Sequence, residues 1–280
     1  MSAAPPPPAE PDLDVTPLPE DVALALVRDG ALELEGRLVE ASNTTLRAVV
    51  TLDGVVRRCV YKPVRGERPL WDFPDGTLAG REVAAYRVSA ATGWGIVPPT
   101  VLRDGPFGVG ACQLWIDEPD EVEELLGFVP VKRVPQGWHR VAAARDDEGR
   151  PYALAHADDP RLAHIAVFDA VVNNADRKGG HLVSNVDGHL YGVDHGVCFH
   201  VEDKLRTVLW GWAGSPLPAD AVDVLGALRA DLGGRLGGEL AEHLTAGEVT
   251  ATTARIDRLL AAGCFPQPDH DWPPLPWPPI

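Results

Sequence analysis

The sequence is poor in cysteine. Four cysteines occur in 280 residues, and they lie far apart without a Cys-x-x-Cys pair: Cys59, Cys112, Cys198 and Cys264. Disulfide frameworks and zinc sites need cysteines in larger number or at closer spacing, so neither is indicated. We expect the four thiols to be reduced residues of a core.

Basic residues are also scarce. The chain has 25 Lys and Arg against 41 Asp and Glu, which gives a formal net charge of −16. Nucleic acids and anionic membrane surfaces attract basic patches, so this charge argues against both as partners. Because only four residues are lysine, a lysine inside a predicted strand is unusual: the four are Lys62, Lys132, Lys178 and Lys204.

Long apolar runs are missing. None approaches the roughly 18 residues that a transmembrane helix needs. Residues 1–6 have neither the basic nor the apolar region of a secretory leader. We therefore expect a cytoplasmic protein without a transmembrane segment. The share of hydrophobic residues, 45%, is ample for the core of one large domain or two lobes.

Proline-rich ends flank the rest of the chain. Residues 1–19 are Pro-rich and acidic, which predicts a disordered tail, and residues 266–280 form a second tail rich in Pro and Trp. The acidic, Pro-broken stretch 116–120 is a natural boundary. It predicts an N-terminal lobe over residues 20–118 and a C-terminal lobe over residues 119–265.

The N-terminal lobe has the pattern of an antiparallel sheet with one helix. Strand-like segments occur at about 32–39, 46–52, 55–61, 99–103 and 109–116. Ala79, Val83, Tyr86 and Ala90 recur at helical spacing and predict a helix over about 78–91. The segment after residue 119 is predicted to be mainly helical.

Lys62 closes the third predicted strand. Lysine is rarely buried without an anionic partner, and a charge pair at about 4 Å is worth on the order of 4 kcal/mol at an intermediate dielectric. Glu82 borders the helix face that points at the sheet and is the expected partner, with Glu67 a weaker rival in a loop. The alternative is that Lys62 extends to solvent.

The loop 41–45 joins the first two strands. Its polar residues, Ser42 and Asn43 among them, have hydroxyl, amide and backbone N–H groups that can reach phosphate oxygens. An ordinary hairpin turn is the alternative. No Gly-x-x-x-x-Gly-Lys-Ser/Thr pattern occurs, which excludes a P-loop fold.

Two aspartates are predicted to share one site. The apolar run 165–172 leads into a polar loop with Asp176, and two short strands, joined by an Asp187-Gly188 turn, return the chain to Asp194. Phosphoryl transfer needs one residue to orient the attacking hydroxyl and a hard oxygen ligand for Mg²⁺. Asp176 and Asp194 fit these two roles.

The order of these motifs resembles the phosphatidylinositol 3-/4-kinase-like superfamily, in its bacterial (actinobacterial) branch, over residues 33–265. The resemblance rests on Lys62, on Glu82, on the Asp-Arg pair at 176–177 and on Asp194-His195-Gly196. It implies an α+β, two-lobed kinase-like fold, with a small antiparallel-sheet N-lobe carrying one helix and a mostly helical C-lobe. It also implies an ATP-dependent phosphotransferase with ATP and Mg²⁺, or Mn²⁺, as cofactors.

The same resemblance implies where the nucleotide binds. Lys62, held by Glu82, would position the phosphates. The last strand runs into the hinge between the lobes, where backbone groups of Gln113, Leu114 and Trp115 would meet adenine.

It also implies roles in the catalytic loop, residues 173–181. Arg177 or Lys178 would stabilise charge on the transferring group, although a salt bridge that fixes the loop is an equal alternative for Arg177. His181 stands where the pattern has Asn, and would be a weaker second metal ligand because imidazole is softer than an amide oxygen. The acceptor is unknown. The segment 197–207 has no net charge, which favours a protein or small molecule over a membrane lipid.

Two other functions remain open from the sequence. His181 in place of Asn is compatible with a pseudokinase that binds nucleotide without turnover. A metal-dependent hydrolase is also possible if Asp176 and Asp194 assemble with histidines of this region, namely His181, His189, His195 and His200.

Overall fold

The computed structural model of the protein describes residues 13–38, 44–269 and 272–280. The N-terminal lobe contains helices α1 (Glu20–Asp29) and α2 (Leu78–Thr92) and strands β1 (Ala31–Arg37), β2 (Leu46–Leu52), β3 (Val55–Pro63), β4 (Thr100–Gly105) and β5 (Gly108–Leu114). The C-terminal lobe contains strands β6 (Leu126–Pro130), β7 (Trp138–Arg145), β8 (Pro151–Ala157), β9 (Leu182–Ser184) and β10 (Leu190–Gly192), and helices α3 (Pro160–Val172), α4 (Ala219–Asp231), α5 (Arg235–Ala241) and α6 (Ala246–Ala262).

The N-terminal lobe is a five-stranded antiparallel sheet in the order β1-β2-β3-β5-β4. Cys59 and Tyr61 are buried, and Cys59 packs with Leu26 and Val27 of α1. Side chains alternate between the two faces of a strand, so Lys62 emerges on the face opposite α1. The sheet thereby directs Lys62 toward the other lobe.

Helix α2 lies between the sheet and the C-terminal lobe. It begins at Thr77, whose hydroxyl accepts the N–H of Gly80 at 2.9 Å, and ends at Gly93 in the left-handed conformation with φ 72°. Ala79 and Val83 pack against Ala111 of β5, while a second set of α2 residues belongs to the main core of the C-terminal lobe. This double packing holds α2 between the sheet and the C-terminal lobe.

Helix α3 runs through the centre of the C-terminal core. It begins at the N-cap Asp159, which is followed by Pro160. It ends at Asn173, whose φ of 54° turns the chain out of the helix. The Asn173 amide then donates to the carbonyl of His200 at 3.0 Å, so the end of α3 is joined to the segment beyond Asp194.

The C-terminal lobe also contains a three-stranded antiparallel sheet in the order β6-β8-β7, where the sequence predicted mainly helix. The alanine-rich run of β7 shows no apolar alternation, and a register shift between Arg140 and Ala142 breaks the period further. The β7–β8 turn is local, since the Asp146 carboxylate accepts the N–H groups of Glu148 and Arg150. Otherwise the predicted α+β, two-lobed fold class is confirmed.

Some predictions concern residues that the structure does not describe. Residues 1–12 of the predicted N-terminal tail lie outside the described residues, and so do Ser42 and Asn43. No helix among residues 13–38, 44–269 and 272–280 is long and apolar enough to cross a membrane. All four cysteines are free; Cys59, Cys112 and Cys198 are buried, and Cys264 is partly exposed.

Candidate active site

Lys62 lies in the cleft between the lobes and contacts carboxylates from both. Its ammonium donates to Glu82 Oε1 from α2 and, at 2.9 Å, to Asp194 Oδ1 from the C-terminal lobe. The second oxygen of Glu82 accepts the backbone N–H of His195 at 2.9 Å. The predicted Lys62–Glu82 pair is therefore present, and it also holds the backbone next to Asp194.

The charges of this cluster stabilise one another. The Lys62 ammonium holds the pKa of Asp194 well below its usual range. Burial opposes a charge on Lys62, but Asp194 and Glu82 outweigh it and raise the pKa of Lys62. Burial raises the pKa of Glu82, while Lys62 and the His195 N–H act in the opposite direction. At neutral pH, Lys62 and Asp194 form an ion pair.

Asp194 is presented to the cleft by the β9–β10 hairpin. The Val193 N–H donates to the His181 carbonyl at 2.9 Å, which sets the two ends of the hairpin side by side. Asp194 itself has a φ of 62°, an uncommon conformation for a residue other than glycine. Its side chain remains 53% exposed. The carboxylate is thus fixed in position yet accessible.

His181, the second predicted metal ligand, lies beside Asp194. Its Nε2 lies 3.6 Å from Asp194 Oδ2. Burial lowers the pKa of His181 to about 4, so the ring is neutral at pH 7 and has a nitrogen lone pair. A carboxylate oxygen and a neutral imidazole fit a divalent cation, and the nitrogen favours Mn²⁺ over Mg²⁺. Two protein ligands are few, which suits a cation that also binds water and phosphate oxygens.

Asp176 lines the same cleft as Lys62 and Asp194. Its backbone N–H donates to the side-chain oxygen of Asn174 at 3.0 Å, and its carboxylate lies 3.1 Å from Lys178 Nζ. Burial raises the pKa of Asp176, with Lys178 opposing and Asp194 adding to the shift. A carboxylate with a raised pKa is the better proton acceptor.

Arg177 points away from the cleft. It is fully buried, as is Asp169 of α3, and its Nε and Nη2 atoms each donate to Asp169 at 2.9 Å. A third donor, Nη1, reaches the Val193 carbonyl at 3.0 Å, and Nη2 lies 2.7 Å from Nε2 of His195. This geometry favours the loop-fixing alternative for Arg177, because its donors contact partners within the protein and it does not line the cleft.

The three hinge residues do not line this cleft. The backbone N–H of Leu114 donates to Pro99 O at 2.9 Å, and that of Trp115 donates to Arg58 O at 3.0 Å. The Gln113 side-chain amide donates to Thr100 Oγ1 at 2.8 Å. Each of these donors is engaged within the N-terminal lobe, and adenine binding at Gln113, Leu114 and Trp115 stays a prediction.

Glu67, the weaker rival to Glu82 in the sequence, has a capping role that the sequence did not predict. Its two oxygens accept the N–H groups of Leu78 at 3.0 Å and Ala79 at 2.8 Å, which caps the first turn of α2. It lines the cleft together with Lys62 and Asp176. A carboxylate eleven residues before the helix shows no local capping signal, so only the fold reveals this contact.

The histidines of this region are not assembled into a hydrolase site. His189 contacts the Gly95 carbonyl at 3.0 Å, His200 packs edge-on against Phe73, and His195 is buried against Arg177. Among the described residues, no group of three or more His, Cys, Asp and Glu side chains is placed to hold a metal ion. The hydrolase hypothesis therefore lacks the site that it needs.

A small sheet lobe whose strand lysine pairs with a helix glutamate, opposite aspartates from a second lobe, defines a kinase-like fold. No family model matches the chain. Protein Rv2133c of Mycobacterium tuberculosis is 48% identical over 262 residues, which cover 91% of this chain and 94% of that protein. The chain belongs to the same family as Rv2133c.

Two solved structures show a more distant likeness. A Golgi casein kinase matches with a TM-score of 0.45 and 13% identity, over 87% of this chain and 74% of that chain. The Fam20 protein of hydra, solved with sugar, matches with a TM-score of 0.46 and 15% identity, over 85% of this chain and 86% of that chain. At these TM-scores neither assigns a family or a function.

The comparisons overturn the predicted superfamily. The assignment to the phosphatidylinositol 3-/4-kinase-like superfamily is wrong: the chain belongs to the family of Rv2133c, and its structural matches include a Golgi casein kinase and a Fam20 protein. The motifs that led to it, an Asp-Arg pair and an Asp-x-Gly triplet, are short. Such motifs follow from the chemistry of a site and do not identify a lineage.

Proposed function

We propose that this protein is an ATP-dependent phosphotransferase that acts on a hydroxyl group of an acceptor not yet known. One observation carries the proposal: Lys62, held by Glu82, faces Asp194 across a cleft that Asp176 also lines. A cation for phosphates, an acidic metal ligand and a carboxylate for the acceptor are the three parts that phosphoryl transfer requires.

Each residue has a defined task in this mechanism. Lys62 leaves Asp194 and binds phosphate oxygens of ATP, while Glu82 keeps its orientation. Asp194 and His181 would hold a divalent cation, which neutralises phosphate charge when it is bound. Asp176 orients the acceptor hydroxyl and takes its proton as the acceptor oxygen bonds to the γ-phosphorus and ADP leaves. General-base assistance of this kind contributes roughly 10²–10⁴-fold.

Lys178 supports Asp176. Its ammonium lies 3.1 Å from the Asp176 carboxylate and lines the same cleft. In this position it can stabilise negative charge on the transferring phosphoryl group. Arg177 has a different task in this proposal, since its buried contacts with Asp169 fix the catalytic loop to helix α3.

A protein or a small molecule is the favoured class of acceptor. The two basic residues of segment 197–207 both have partners within the protein: Lys204 contacts Asp72 at 3.1 Å, and the partly exposed Arg206 donates to Pro273 O at 3.1 Å. A phosphoinositide headgroup needs free cations near the catalytic carboxylate. The net charge of −16 also disfavours an anionic membrane surface.

The test combines nucleotide binding with transfer of labelled γ-phosphate, using Mg²⁺ or Mn²⁺ and a cell extract as the source of acceptor. Asp176→Asn should retain metal-ATP binding and lose transfer, whereas Asp194→Asn should lose metal-dependent ATP binding. Asp257→Asn is the matched control, because Asp257 is 52% exposed and contacts Arg229 on the surface. Full transfer by Asp176→Asn would contradict the proposal.

A nucleotide-binding pseudokinase is the second candidate. The observation that favours it is the imidazole of His181 beside Asp194, where a harder oxygen ligand suits Mg²⁺ better. Wild-type protein that binds metal-ATP but transfers no phosphate to any acceptor, itself or water would select this function.

A further inference from the structure

The second proline-rich tail of the chain lies against the catalytic loop. Residues 272–280, here called the proline strap, include Pro273, Pro274, Pro276, Pro278 and Pro279. Proline has a fixed φ and no N–H group, so such a segment is extended, loses little entropy on docking and offers carbonyl oxygens as acceptors. The strap is therefore suited to receive hydrogen bonds from neighbouring donors.

Its first half binds the segment that follows Asp194. The Pro274 carbonyl accepts the backbone N–H of Thr207 at 3.1 Å and the indole N–H of Trp210 at 2.8 Å. The neighbouring Pro273 carbonyl accepts Nε of Arg206 at 3.1 Å, and the Arg206 guanidinium lies 4.7 Å from the ring centre of Trp272. Four contacts within five residues hold residues 206–210 to the strap.

Its second half binds the catalytic loop itself. The Gly179 N–H donates to the Pro279 carbonyl at 2.8 Å. A Cβ atom at Gly179 would lie 3.4 Å from Cγ1 of Ile280 and 2.8 Å from the end of Leu126, so the glycine permits this close approach. Gly179 follows Lys178 directly and lies three residues after Asp176.

The catalytic loop and the segment 206–208 are in turn bonded to each other. Arg177 N–H donates to Arg206 O at 2.9 Å, Val208 N–H donates to Arg177 O at 3.2 Å, and Arg206 N–H donates to Asn174 O at 2.9 Å. The strap, this segment and the catalytic loop thus form one hydrogen-bonded layer. A displacement of the strap would be transmitted to the backbone on both sides of Asp176.

We propose that the proline strap is a positioning element for catalysis, which holds Asp176 and Lys178 in place in the cleft. This inference rests on the proposed phosphotransferase function. It predicts that loosening the strap lowers kcat, because the acceptor carboxylate is displaced, and leaves the binding of metal-ATP intact. A displacement of about 1 Å in an active site reduces a rate by up to roughly 100-fold.

The experiment uses the full chain with two substitutions that weaken both anchors. Trp210→Phe removes the indole N–H that binds Pro274, and Pro279→Gly relaxes the backbone at the Gly179 contact. The matched control makes the same two chemical changes at strap positions without such contacts, as Trp277→Phe/Pro276→Gly. Trp277 is 87% exposed, and within the described part of the chain the Pro276 carbonyl accepts no hydrogen bond.

Two readouts are measured, namely transfer kinetics with ATP and hydrogen exchange of the Gly179 amide. The Trp210→Phe/Pro279→Gly variant should lose at least about fivefold in kcat with KM for ATP within about twofold, and exchange at Gly179 should rise by about tenfold. The control variant should match wild type in both. Unchanged kcat with unchanged exchange overturns the inference, and so does an equal loss of kcat and ATP affinity.

The two proposals can fail separately. If wild-type protein transfers no phosphate, the proposed function fails and the exchange of the Gly179 amide alone decides whether the strap holds the loop. If wild-type protein is active and the anchor variant is equally active, the phosphotransferase function stands and the strap has no part in positioning.

Discussion

Replacing Arg177 by methionine separates a structural task from a catalytic one. Arg177 and Asp169 are both fully buried, and two guanidinium nitrogens donate to the Asp169 carboxylate. Among the described residues, the variant Arg177→Met leaves that carboxylate with the Asn174 amide, at 3.0 Å, as its remaining side-chain donor. Breaking a buried pair by removing one partner costs about 3–5 kcal/mol, because an uncompensated charge stays inside the protein.

A loss of about 3–5 kcal/mol in the free energy of unfolding is large enough for a clear measurement. For a chain of this size such a loss lowers Tm by roughly 10 °C. Equilibrium unfolding in urea should show it directly, and Arg235→Met is the control, because Arg235 is 66% exposed and pairs along α5 with Glu239. An exposed pair is worth about 1 kcal/mol or less. The double variant Asp169→Leu/Arg177→Met should recover part of the lost stability, since no buried charge remains.

The result that refutes this reasoning is also clear. If Arg177→Met unfolds at the urea concentration of the wild type but has lost phosphate transfer, the buried pair does not stabilise the fold. Arg177 would then act on the transferring group, which is the other role that the sequence left open.

Three further predictions concern the cleft and its surroundings. Glu67→Ala should reduce the free energy of unfolding by about 1 kcal/mol, because two N–H groups of α2 lose their cap, and unchanged stability in urea would contradict that role. His181→Asn should shift the metal preference of ATP turnover from Mn²⁺ toward Mg²⁺; an unaltered ratio of the two rates would remove His181 from the metal site. The free energy of unfolding should fall as pH drops from about 6.5 toward 4. Burial lowers the pKa of His156 and of His181 to about 4 in the folded protein. The unfolded chain therefore binds more protons than the folded protein in that range. Unfolding measured from pH 7 to pH 4 should show this slope, His156→Gln should make it shallower, and stability that rises with acidification would contradict the assignment.

The sequence predicts those parts of the site that depend on residues close together in the chain. Alternating apolar residues mark the strands of the N-terminal lobe, and the 3.6-residue period of α2 places Glu82 on the side that faces Lys62. The Asp187-Gly188 turn correctly returns the chain to Asp194. Each of these signals lies within a few residues of the feature that it specifies.

The missing parts depend on contacts between distant segments. Glu67 caps a helix eleven residues later, and Arg177 finds Asp169 inside the core, where a sequence pattern shows only a loop arginine and a helix aspartate. The strands β7 and β8 escape prediction because an alanine-rich run has little apolar contrast. Gly179 meets Pro279 across a gap of one hundred residues, and composition alone described that proline-rich stretch as a tail.

The contact of Lys62 with Asp194 joins the two groups that the proposed function assigns to phosphate and to metal. While the ammonium contacts Oδ1, it offsets part of the charge of Asp194, and Lys62 is itself engaged by two carboxylates. Under the proposed function, Lys62 would bind phosphate oxygens and Asp194 would help to hold the cation, so the binding of each ligand would remove an obstacle to the other. Titrations should therefore find weak affinity for either alone and mutual enhancement for the pair, by the same factor in both directions.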